Sequence, residues 1–249
     1  MRLPLLTIGL IFLTHLGGQL CRAQPSAQDT ERQYGSPTRF ENSIKRFEAK
    51  DKERTPPAGA IVCVGSSSVR GWHATIQQDL APLTIIPRGF GGSNMNDALH
   101  YLDRIVLRYH PRAIVLYEGD NDIAQSISPR KITKTFQEFV NRVHRELPDC
   151  RIYFLAIKPS IRRWTLWPQM QQANQSIAAA CATDKRLTYV DVAGGMLNAA
   201  GQPRPEIFMK DQLHMTRGGY LIWRDALRPV LMRRELRFET ISATAPTNR

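Results

Sequence analysis

Residues 60–72 read AIVCVGSSSVRGW, an apolar run that ends in a glycine and three consecutive serines. Five small or β-branched apolar residues in a row predict a strand buried on both faces. A plain turn after it needs one Gly, Asn, Asp or Pro, and one serine would serve. A polar cluster placed there instead directs attention to what stands at the ends of the other strands.

Similar apolar runs recur at Leu83–Ile86, Ala113–Tyr117, Ile152–Ile157 and Leu187–Val190. Helical spacing fills the gaps between them. Phe40, Ile44 and Phe47 mark a helix over Arg39–Arg54, stopped by Thr55-Pro56-Pro57. Ala98, Leu99, Leu102, Ile105 and Val106 share one face of a helix over Asn94–Tyr109. Ser128 as N-cap and Pro129 at N1 open a helix that runs to about Glu146. Two more helices span about Pro168–Thr183 and Arg217–Phe238. Alternating β and α with continuously apolar strands predicts an α/β fold: a five-stranded parallel sheet inside a three-layer αβα sandwich of flavodoxin type. In such a sheet, ligands bind beyond the carboxyl ends of the strands.

Those ends carry chemistry. Gly65-Ser66-Ser67-Ser68 follows the first strand, and Arg88–Asp97 (RGFGGSNMND) the second. Glu118–Ala124 (EGDNDIA) leaves the third, Lys158–Met170 (KPSIRRWTLWPQM) the fourth, and Asp211–Tyr220 (DQLHMTRGGY) precedes the last helix. A serine hydroxyl is a weak nucleophile until a base takes its proton, and that base needs an orienting partner. Asp211 and His214, three residues apart, can supply both. A backbone N–H freed by a glycine turn at Gly92, the Asn121 amide and the nucleophile's own N–H are the candidate donors for an oxyanion.

In order and spacing these blocks resemble the SGNH hydrolases, also called the GDSL esterase/lipase family. The family shows G-D-S after the first strand, a glycine in block two, G-x-N-D after the third strand and D-x-x-H before the last helix. Here Gly65-Ser66-Ser67, Gly92, Gly119-Asp120-Asn121-Asp122 and Asp211-Gln212-Leu213-His214 stand at those places, over about Ala58 to Met232. The resemblance implies Ser67 as nucleophile, His214 as base, Asp211 as orienter, and Ser67, Gly92 and Asn121 as the oxyanion hole. It implies an O-acyl ester substrate, an acetylated carbohydrate or a lipid, and neither metal nor cofactor. Ser66 replaces the family's aspartate, so the choice of Ser67 rests on its spacing from Gly65, with Ser66 and Ser68 as alternatives. Two other readings stay open: a non-catalytic carbohydrate- or envelope-binding module on the same scaffold, and a metal-dependent phosphoesterase using Asp120 and Asp122. Trp164 and Trp167 either wall the substrate site or pack their loop, and Trp72 shares that ambiguity.

Other features bound the remaining classes. The 249 residues are 42% apolar, enough for a buried core. The net charge of +12 is spread along the chain without a basic run or zinc-finger spacing, which argues against a nucleic-acid partner. There is no G-x-S-x-G elbow, and Asn94 stands where a dinucleotide-binding G-x-G-x-x-G needs its third glycine. Arg2, the apolar Leu3–Leu16 and Cys21-Arg22-Ala23 read as a signal peptide over 1–23, too short for a stable membrane span and cleaved after Ala23. That implies export to the periplasm or medium, with lipid anchoring at Cys21 as the alternative. The signal takes two basic and no acidic residues with it, leaving +10. Residues 24–38 read as a flexible linker, 39–240 as the folded domain and 241–249 as a disordered tail. Cys63 reads as a small buried hydrophobe, and a Cys150–Cys181 disulfide is open, because strand and returning helix bring both ends to one edge of the sheet. His100, His110 and His144 read as solvated, and His73 as a residue without an evident partner. Oligomeric state is not legible.

Overall fold

The computed structural model describes residues 31–239. The expected signal peptide and the tail at 241–249 lie outside the described residues. Five strands, β1 (Ile61–Gly65), β2 (Ile85–Gly89), β3 (Ala113–Tyr117), β4 (Arg151–Leu155) and β5 (Leu187–Val190), form one all-parallel sheet in the order β2-β1-β3-β4-β5. This is the flavodoxin-type order expected from the sequence. The chain leaves β1 towards β2 and then crosses to β3, so strand order reverses at β1/β3. Gly65 pairs with Gly89 on one side and Tyr117 on the other, which sets the ends of three strands level at that crevice.

Helices cover both faces. α2 (Ser67–Trp72), α3 (Ile76–Asp79) and the long α9 (Arg217–Glu235) lie on one. On the other, α1 (Glu41–Glu53) packs on α5 (Leu102–Ile105), and α4 (Met95–His100), α7 (Pro129–Glu146) and α8 (Trp167–Cys181) follow in contact. A short α6 (Asp120–Ala124) sits at the rim. α7 shows why the pattern folds this way. The Ser128 hydroxyl accepts the Lys131 N–H at 3.1 Å, Pro129 opens the first turn, and Ile132, Phe136, Phe139, Val140 and Val143 form the buried stripe. Each such side chain contributes about 1.5–3 kcal/mol on burial.

Two buried polar links lock elements to the sheet. Glu235, fully buried at the end of α9, accepts from Arg151 Nε at 2.5 Å, Tyr153 Oη at 2.5 Å and Arg112 Nε at 3.3 Å. Arg88 of β2 donates to Asp51 of α1 at 2.5 Å and to the Tyr109 hydroxyl at 2.9 Å.

Several expectations are corrected. β2 begins at Ile85, because Leu83, though buried, belongs to a turn in which its N–H reaches Leu80 O. The single helix over 94–109 is instead α4, α5 and a 3₁₀ turn at Leu107–Tyr109, with Val106 at non-helical angles. Apolar spacing identifies the buried face and says nothing of where the hydrogen-bond ladder breaks. The Cys150–Cys181 bridge does not form, and all three described cysteines are free and buried. Cys181 closes α8 and Cys150 precedes β4, and burial pushes both thiols up to about 12. His144 is half-buried rather than solvated, its Nε2 3.0 Å from Cys150 O. Within the stretch read as linker, Tyr34 lies against the domain and donates to Asp122 at 2.9 Å.

Candidate active site

The turn after β1 is built by close approach. A Cβ on Gly65 would sit 2.3 Å from Tyr117 O and 2.8 Å from Val69 Cγ2, so only glycine lets α2 start there. Ser66 and Ser68 are 2% and 3% exposed, and Ser67 alone of the three is half-open. Ser67 is the first residue of α2, so its N–H is one of the orphan donors of the first turn.

Across the rim, the 211–214 loop folds onto its own carboxylate. Gln212 turns the chain at φ 60°. Asp211 Oδ1 then accepts the N–H groups of Leu213 at 3.0 Å and His214 at 2.9 Å. Its Oδ2 faces His214 Nδ1 at 2.5 Å. These bonds, the one from the imidazole foremost, hold the Asp211 carboxyl well below the usual carboxylate range. A carboxylate can only accept, so Nδ1 carries the proton and Nε2 is left as acceptor. Nε2 lies 2.9 Å from Ser67 Oγ. Serine, imidazole and carboxylate thus form one continuous hydrogen-bonded line from residues 147 apart in sequence. Such a line can move a proton off the hydroxyl.

Gly92 sits in the β2–α4 turn at φ 89°, a left-handed angle that favours glycine, and its N–H has no partner among the described residues. Asn121, on α6, is clamped on both sides. Its Nδ2 donates to Ser93 O at 2.8 Å, and Oδ1 accepts from Arg163 Nη2 at 3.0 Å. The arginine fixes which end of the amide is oxygen. One of the two Nδ2 hydrogens is left to donate elsewhere. Ser93 itself is braced by its hydroxyl on Glu118 at 2.6 Å, and burial, reinforced by the charge of Asp122, pushes the Glu118 carboxyl well up.

The block-three aspartates are fully engaged. Asp120 pairs with Arg163 at 2.6 Å and Lys158 at 3.4 Å. Burial would raise Asp120, but those two charges outweigh it and hold it down. Asp122 accepts from Met95 N, Gly119 N and Tyr34 Oη at 2.9–3.0 Å, and burial still pushes it up to about 6. Among the described residues no three His, Cys, Asp or Glu side chains gather into a metal-binding group.

Lys158 and Arg163 are functional neighbours that sequence reasoning missed. Lys158 is 1% exposed and donates to Leu213 O at 2.9 Å, inside the 211–214 loop. The Arg162 N–H reaches Gln212 O at 3.0 Å. The β4–α8 connection therefore clamps the loop that carries His214. A signal was present: Lys158 directly follows the apolar run of β4, and a lysine carried inward by a strand needs a carbonyl or carboxylate. The tryptophans mostly pack. Trp167 and Trp72 are buried, Trp72 Nε1 donating to Asp79 at 2.6 Å, and half-buried Trp164 stacks on Trp167 at 6.0 Å. His73 does have a partner, accepting the Gly89 N–H at 2.9 Å. Burial pushes the Cys63 thiol up to about 12, as befits a strand interior.

A model of the GDSL-like lipase/acylhydrolase family matches residues 58–222, a range that includes Ser67, Gly92, Asn121, Asp211 and His214. No curated protein matches the chain. Among solved structures, a Streptococcus pneumonia protein is 22% identical, over 78% of this chain and 93% of its own, at a TM-score of 0.68. A GDSL-like lipase from Bacteroides thetaiotaomicron is 18% identical, over 76% and 97%, at 0.67. Axe2, an acetylxylan esterase from Geobacillus stearothermophilus, is 12% identical, over 72% and 95%, at 0.56. At such identities the structures speak for the fold, and the family model for kinship: the chain belongs to the GDSL-like lipase/acylhydrolase family.

Proposed function

We propose that this protein is an exported serine esterase that hydrolyses O-acyl esters, of an acetylated carbohydrate or a lipid, through Ser67, His214 and Asp211. Ser67 Oγ attacks the ester carbonyl carbon while its proton passes to His214 Nε2. Asp211, ionised, stabilises the imidazolium through Nδ1–H. The carbonyl oxygen, now negative, takes hydrogen bonds from Ser67 N–H, Gly92 N–H and Asn121 Nδ2, each worth about 3–4 kcal/mol at the transition state. Collapse breaks the bond to the alcohol, which leaves with the proton from His214. Water, deprotonated by the same imidazole, then attacks the acyl-serine and releases the acid. The step needs no external electron donor or acceptor.

The observation that carries this reading is the unbroken Ser67–His214–Asp211 line at 2.9 and 2.5 Å. Family membership supports it, and the fold shared with an acetylxylan esterase makes acetylated polysaccharide a natural member of any ester panel. The non-catalytic alternative has no use for a serine held on an imidazole. A fluorophosphonate probe should label the protein at the peptide containing Ser67. Labelling elsewhere, or none, would contradict the assignment. A panel from acetate to palmitate, with acetylated xylan alongside and EDTA as a control for the phosphoesterase reading, then sorts substrate class.

A further inference from the structure

Beside the Gly91-Gly92 turn, α1, α2 and the end of β2 enclose a pocket of about 260 Å³. Its aromatic lining is buried or half-buried: Phe90, Phe47 and the ring of His73. His73 is uncharged near neutrality, since burial and neighbouring cations push it down to about 4. The exposed lining is cationic: Arg46 and Lys50 from α1, and Arg70 from α2. No carboxylate lines the pocket. Arg46 donates only to the Ser43 hydroxyl, at 3.1 Å, and the Lys50 and Arg70 side chains have no partner among the described residues. Other arginines, among them Arg88, Arg104, Arg151 and Arg217, are seated on carboxylates. Three unpaired like charges around one concavity repel each other and focus a positive potential that an anion would relieve.

The pocket adjoins the reaction site. Arg70 stands three residues after Ser67 on α2, one helical turn, which separates the Cβ atoms by about 5–6 Å. Its guanidinium lies on Gly91, where a Cβ would come within 2.8 Å of Arg70 Cζ, so this glycine admits the cation beside the Gly92 N–H. An ester whose carbonyl oxygen rests on Gly92 would carry its nearest substituent towards Arg70. The volume suits a single ring or headgroup, being below the ~300–1,000 Å³ of drug-sized sites.

We propose that this pocket is a substrate subsite for an anionic group, a carboxylate or a phosphate carried a few bonds from the scissile ester. The proposal rests on the esterase reading above and names the class of its substrate. Carboxylate and phosphate share the chemistry, and paired substrates separate them. One pair is mono-acetylated methyl glucoside against the corresponding methyl glucuronoside. The other is monoacetylglycerol against its phosphate. In each pair the ratio of kcat/KM, anionic over neutral, is read for the wild type and for Arg46→Gln/Lys50→Gln/Arg70→Gln. We expect a wild-type ratio of roughly ten in at least one pair, falling towards one in the triple variant. It should also fall as salt rises from roughly 0.02 to 0.3 M, which shortens the screening length. Because both members of a pair are measured on the same protein, general damage cancels. Should the triple variant fail to fold, Lys50→Gln alone, on an exposed turn of α1, must lower the ratio. A wild-type ratio near one in both pairs, with the neutral esters turned over, overturns the subsite and leaves the esterase standing. No turnover of any ester overturns both.

Discussion

Ser67 owes its reach to its neighbours: Gly65 lets the helix begin against β3, Ser66 and Ser68 turn inward, and the 211–214 loop presents Nε2 at 2.9 Å. Asn121 is placed with equal care, between Ser93 O and Arg163. Asn121→Ala should therefore lower kcat for an aryl acetate by roughly 10²–10³ while leaving KM within a few-fold, because the lost bond forms only as the oxyanion forms. Steady-state kinetics checks it, and an unchanged kcat would remove Asn121 from the site. The motif-bearing residues were legible because each sits at a fixed distance from an element boundary, Ser67, Gly92 and Asn121 just after a strand and Asp211 and His214 just before the last helix. The partners of Lys158 were not, since Asp120 and Leu213 lie 38 and 55 residues away and nothing in its local sequence names them. Neither was the subsite around Arg70, whose partners come from a helix on the other side of β1 in sequence.

At the scale of elements, α9 is held at both ends by buried carboxylates. At its start, Arg217 donates to Asp79 of α3 at 2.5 Å, and Trp72 and Thr75 bond the same carboxylate. Burial alone would raise Asp79, but these hydrogen bonds outweigh it and bring it down to about 2. A folded-state value below the unfolded one stabilises the fold above the ordinary carboxylate range and is lost as pH falls from about 4 to about 2. Asp79→Asn should thus cost about 2 kcal/mol at pH 7 and flatten the acid limb of stability over that window, measured by urea unfolding at several pH values. At the other end, Glu235→Leu strands Arg151 and the buried Tyr153 hydroxyl without their partner and should cost about 3–5 kcal/mol in the same assay. Strands and helices were legible where period and caps agreed, as in α7. They were not legible where a buried residue such as Leu83 belongs to a turn, or where α4 and α5 keep one apolar face while breaking the ladder between them.

For the whole molecule, sheet order follows from alternating elements and right-handed crossovers, and it puts the crevice between β1 and β3 where the motif residues converge. Part of the positive charge that looked diffuse in sequence is neutralised in ion pairs, and three of the cations that are not, Arg46, Lys50 and Arg70, line the pocket beside the reacting serine. The proposed export rests on reading the first 23 residues as a signal peptide. Expression of the full chain in a secreting bacterial host should yield a mature protein whose first residue is Gln24 by N-terminal sequencing, and an intact Met1 in the exported fraction would refute it. The account as a whole stands on one hydroxyl. The most direct measurement is the rate of 4-nitrophenyl acetate hydrolysis by purified Ser67→Ala beside the wild type. A loss of at least about a thousandfold with the fold intact by circular dichroism is the result predicted, and turnover near the wild-type rate would contradict it.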